Sequence, residues 1–121
     1  MNAFAYSGYD QISSPIKDHR SAEAQLLQRL TTALATASES GDFRKMVDAV
    51  SENQKFWQQI ALDLAHDNNA MPDGLRASLL SLAGFTIRHS SFVLAGTAPI
   101  EPIIDINRHV VRGLMGMEVA A

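Results

Sequence analysis

One stretch limits what this chain can fold into more than any other: "NNAMPDGLRASLLSLAGFTIRHSSFVLAG", residues 68–96. Pro72 suits a first helical turn, where its missing N–H has no intrahelical partner to lose. The residues after it keep helical spacing as far as Gly96, a natural stop. Leu79, Leu82, Thr86 and Val93 fall on one face of that helix, and Leu80, Ala83, Ile87 and Leu94 on the adjoining one. Together they exceed the arc of about 100° that a surface helix needs. Even the opposite side, with Ser81, Arg88 and His89, carries Phe85 and Phe92. Two readings follow: the helix is central to a bundle, or part of its surface is made for a partner.

The rest of the chain supplies the other helices. Residues 1–14 read as an irregular N-terminal arm with aromatics at Phe4, Tyr6 and Tyr9. Ser13, Ser14 and Pro15 signal a helix start, and Leu26, Leu27, Leu30, Leu34 and Ala37 recur with helical spacing. Gly41 stops that helix and Asp42 caps the next one. The second helix places Phe43, Met46, Val47, Val50, Trp57, Ile60 and Leu64 on one stripe. Asn53 and Gln54 interrupt the stripe, and Phe56 lies off it. A last helix opens at Pro99 or Pro102 with Ile103, Ile104, Asn107, Val110, Val111 and Leu114 as its stripe, and residues 117–121 read as a frayed tail. Short connections join the four segments, so the expected fold is all-α: a small antiparallel bundle of about four helices, one domain over residues 15–116.

Composition narrows the function classes. At 121 residues and 13.2 kDa the chain holds one ordinary core. A net charge of −3 argues against a nucleic-acid footprint, so no DNA partner is expected. The chain has no cysteine, hence neither thiol nucleophile nor thiolate metal site. His19, His66, His89 and His109 form no i, i+4 pair and no His-Glu-x-x-His, so no metal is expected. No Gly-x-Ser-x-Gly elbow or phosphate-cradling loop occurs. In "DINRH", Asp105 is placed to reach Arg108 or His109 along the helix surface, a structural or binding arrangement rather than a catalytic one. Gly84, inside the third helix, suggests close contact with another helix. The N-terminus lacks the pattern of a secretory signal, and no apolar run approaches the roughly 20 residues of a membrane span. A cytoplasmic, cofactor-free protein that is not an enzyme and does not insert into membranes is the expectation.

The second half is specific enough to suggest relatives. Trp57, Asp63, Asn69 with Pro72, Leu75-Arg76-Ala77, Ser81-Leu82, Arg88, Ile106-Asn107-Arg108 and Gly113-Leu114 follow one another in a distinctive order. Over residues 53–115 this resembles the FlaF family of flagellar biosynthesis regulators from alphaproteobacteria, with a weaker echo in Ala5-Tyr6. Phe85 stands where a second Trp is expected, and Lys55-Phe56 where an Arg is expected. The resemblance implies a chaperone or adaptor that binds flagellin and regulates its synthesis and secretion, working with a regulator similar to FlbT. It equally allows a post-transcriptional regulator that acts through such a protein, or on flagellin messenger, without chaperoning flagellin. A small bundle suits the first role, because flagellin's terminal amphipathic helices need cover before assembly.

Two candidate partner surfaces follow. One is Phe85, Arg88 and Phe92, joined by Phe56, a set with hot-spot composition. The other is Ile106, Arg108 and Arg112 on the last helix. The remaining motif residues read as structural: Trp57 in the core, Asn69 closing the turn into Pro72, Asp63 paired with Arg76, and Asn107 bonded to another helix's backbone.

Overall fold

In the computed structural model the described residues are 13–66, 69 and 71–120, with side chains described over 22–66, 69 and 71–113. The aromatic arm and the side chain of Leu114 lie outside them. The chain forms four helices: α1 (Ser13–Ser40), α2 (Phe43–Ala65), α3 (Asp73–Leu94) and α4 (Glu101–Ala120). No strand occurs among the described residues. Helix α4 continues through residues 117–120, where the sequence suggests a tail.

Local chemistry sets the breaks. Gly41 has φ +71°, a conformation without steric cost only for glycine, and it turns the chain out of α1. Asp42 then caps α2, its carboxylate accepting from the backbone N–H of Arg44 at 3.0 Å and of Lys45 at 3.3 Å. Helix α3 ends in a Schellman turn: Gly96, at φ +78°, donates to the Val93 carbonyl, and Thr97 donates to that of Phe92. Pro72 is the N-cap residue of α3 and not its first helical residue; its carbonyl accepts from the Arg76 N–H at 2.8 Å.

Helix α1 packs against α2 and α4, and α2 also packs along α3. Hydrogen bonds from Gln54 to Ile87 and from Arg76 to Leu64 show α2 and α3 running antiparallel. Helix α3 touches α4 only lightly and lies diagonally across from α1. It is therefore an edge of the bundle, not its centre, which corrects the first of the two sequence readings. Its buried face, Leu79, Ala83, Thr86, Ser90 and Val93, is mostly small and lies against α2, with Leu80, Leu82 and Ile87 partly buried beside it. Gly84 meets no neighbouring helix either. A Cβ built there would lie 3.2 Å from the Arg88 guanidinium, one turn along the same helix.

The core comes in two apolar halves. Trp57, Ile60 and Leu64 pack with Leu27, Leu79, Val110 and Val111 at one end. Leu34, Val50, Val93, Ile100, Ile103 and Ile104 pack at the other. At the level between them each helix contributes a buried polar residue: Thr31, Asn53, Thr86 with Ser90, and Asn107. Asn53 thus belongs to the interior and does not break the α2 stripe, whereas Phe43, counted in that stripe, is 57% exposed.

Candidate functional site

The motif residues of the second half divide into an interior set and two separate surfaces. The interior set is a chain of side-chain hydrogen bonds across the bundle. Trp57 donates through Nε1 to Asn107 Oδ1 at 2.9 Å, and Asn107 donates through Nδ2 to Asn53 Oδ1 at 2.7 Å. Asn107 therefore bonds two side chains of α2, not a backbone. Both amides are fully buried, where an unpaired polar group costs about 1–3 kcal/mol, so the pairing fixes how α4 sits on α2.

The α2–α3 connection is tied by the next motif residues. Asn69 donates to the Asp63 carbonyl at 3.1 Å and accepts from the Met71 N–H at 2.9 Å. Arg76 donates through Nε to the Leu64 carbonyl at 2.6 Å, satisfying an orphan carbonyl at the end of α2. The expected Asp63–Arg76 pair is thus replaced by a bond from arginine to backbone. The Asp63 carboxylate accepts from Gln59 instead. These residues tie the end of α2 to the start of α3.

The first surface is the outer edge of α3. Phe92 is 57% exposed and Phe85 40%, and Arg88 is exposed between them. Helix α1, one internal partner for these rings, packs on α2 and α4 and not on α3; the N-terminal arm, the other, lies outside the described residues. Phe85 stacks on His89 with ring centroids 5.2 Å apart and planes 18° from parallel. His89 Nε2 lies 2.7 Å from the Pro99 carbonyl, anchoring the stack to the α3–α4 connection. Leu75, Ser78, Leu82, Phe85, His89 and Phe92 alternate three and four residues apart, the spacing of a coiled-coil seam. All six are exposed or half-buried. The seam runs parallel to the buried row Leu79, Ala83, Thr86, Ser90 and Val93, so α3 carries one heptad row for the core and a second for the outside. Leu75, Ser78 and Leu82 extend this edge beyond the aromatic residues, Leu82 half-buried against the core. Their spacing is the signal that finds them.

Phe56 does not join this edge. It packs against the core, meets Trp57 edge-on with centroids 5.8 Å apart, and lines a groove between α1 and α2 with Leu26 and Leu30. Arg108 and Arg112, both exposed, lie with Thr32, Thr36 and Glu39 along an open groove of about 590 Å³ between α1 and α4. Ile106 packs against the core and is not among the residues lining that groove. Asp105 lines its continuation beside Arg108, while His109 Nδ1 faces Arg112 Nη2 at 3.4 Å. Among the described residues no group of three or more His, Cys, Asp or Glu side chains is placed to hold a metal ion. No helix among them is long and apolar enough to cross a membrane.

The described residues form a small all-α bundle with a row of exposed and half-buried side chains along one edge of α3. A family model described as "Flagellar protein FlaF" matches residues 5–114. The chain belongs to the FlaF family and is a flagellar protein. No curated protein and no solved structure matches it.

Proposed function

We propose that this protein is a non-enzymatic flagellin chaperone and regulator that works in the cytoplasm, receiving a terminal amphipathic helix of flagellin along the outer seam of α3. The observation that carries the reading is the row of exposed Leu75, Phe85 and Phe92 with half-buried Leu82, in a chain whose family is flagellar. The row has helical spacing, runs the length of a helix and sits beside an unburied arginine, Arg88. A helix laid there would bury the rings of Phe85 and Phe92, while Arg88 would offer a cation to an acid on its rim. Holding that segment keeps unassembled flagellin soluble, and the bound fraction reports flagellin level to synthesis and export. The test is co-elution of the purified protein with monomeric flagellin from a size-exclusion column at tens of micromolar. A joint peak is expected. Separate elution would remove direct chaperoning.

A second reading keeps the flagellar role and moves the contact. Arg108 and Arg112 line a different groove, beside α1, which leaves a surface for a regulator similar to FlbT. The protein would then control flagellin output through that partner without holding flagellin itself. The net charge of −3 weighs against flagellin messenger as the direct ligand.

A further inference from the structure

The six seam residues of α3 are arranged so that the seam fits itself. The aliphatic and hydroxyl side chains Leu75, Ser78 and Leu82 occupy its N-terminal half, and the rings of Phe85, His89 and Phe92 its C-terminal half. Place a second copy of α3 antiparallel, about a twofold axis between Ala83 and Gly84. Each ring then meets a smaller partner: Phe92 faces Leu75 of the other copy, Phe85 faces Leu82, and His89 faces Ser78. A parallel pairing would instead set ring on ring and imidazole on imidazole.

The polar pair is complementary as well. Because the Pro99 carbonyl only accepts, His89 donates to it from Nε2, and in the tautomer with that proton on Nε2 alone Nδ1 is the ring's acceptor. Ser78 is exposed and makes no hydrogen bond among the described residues, so its hydroxyl is available to donate to that nitrogen. Antiparallel pairing puts the seam's two polar residues opposite each other and leaves neither facing an apolar side chain.

We infer that α3 pairs antiparallel with α3 of a second copy of this chain, and that this weak isologous pair competes with a client helix for the seam. The pairing concerns the same face as the flagellin reading, on which it rests for its client, and adds its regulation: at high protein concentration self-pairing competes with the client for the docking face. From Leu75 to Phe92 the seam covers eighteen residues, about 26 Å of helix from first to last. Six contact residues a side fall well short of the roughly 20–30 of a standard interface, so the dimer is weak and readily exchanged.

Sedimentation equilibrium of the full chain tests this without flagellin. The average mass is expected to rise from 13.2 kDa toward twice that value between micromolar and about half-millimolar protein. A Leu82→Glu/Phe85→Glu variant, checked for helical content by circular dichroism, is expected to stay monomeric throughout. Should that variant unfold, cysteines report the geometry, since the chain has none of its own. Mixed Leu75→Cys and Phe92→Cys proteins are expected to cross-link to each other on mild oxidation, several-fold faster than either does to itself. A constant monomer mass for the unmodified chain, or Leu75→Cys pairing with itself as fast as with Phe92→Cys, overturns the proposal. Because no flagellin is present, either result leaves the co-elution test to decide the function separately.

Discussion

Two regions of this bundle invert the usual rule of apolar inside and polar outside. Midway along the core, where burial is complete, sit Asn53, Asn107, Thr86 and Ser90. On the outer edge of α3, open to solvent, sit Phe85 and Phe92. Each region departs from the pattern for a different reason. The inner layer gives up some hydrophobic stabilisation for directional bonds, and so sets which helix faces which and in what register. The outer seam leaves apolar area uncovered, which monomeric proteins do sparingly and usually at binding sites. Residues that seem misplaced thus have opposite settings, one bonded inside the fold and the other left open on its edge.

If that contrast is right, damage to the two regions should look different. The largest loss is expected from Asn107→Leu, which strips partners from both the Trp57 indole N–H and the Asn53 carbonyl oxygen. Unfolding in denaturant should show a destabilisation of about 3 kcal/mol, read from the fluorescence of Trp57, the chain's one tryptophan. A loss under about 1 kcal/mol would mean that the inner layer does not set the packing. Thr86→Val sharpens the point within the same layer. The Thr86 hydroxyl is buried without a partner, although its backbone carbonyl accepts from Ser90. Replacing that hydroxyl with a methyl should change stability by no more than about 1 kcal/mol, in the favourable direction. Two buried polar side chains in one layer thus carry opposite expectations, decided by hydrogen bonding alone.

The sequence reveals the four helices because their ends are written in local chemistry. Gly41, Asp42, Pro72 and Gly96 act within a few residues of themselves, and each break falls where they stand. What escapes is whatever depends on a second helix. Asn53 reads as an interruption of its stripe until Asn107, 54 positions away, stands opposite it. Asp63 and Arg76 carry opposite charges across a hairpin, yet the arginine meets the free carbonyl of Leu64 instead. The place of α3 is lost for a related reason. Periodicity records which faces are apolar but not which neighbour covers them, so a helix apolar nearly all round reads as central. The outer seam was within reach of the sequence, since its three-and-four spacing is present in the letters. It lacked meaning until the inner row of the same helix was known to be filled.

The most direct measurement is isothermal titration of purified flagellin into the wild-type protein beside a Phe85→Ala/Phe92→Ala variant. Both rings are largely outside the core, so circular dichroism should show the variant folded. The account predicts micromolar or tighter binding by the wild type and at least a tenfold loss in the variant, equal to about 1.4 kcal/mol or more. Equal binding by the two folded proteins would contradict the claim that the outer seam of α3 is the docking face.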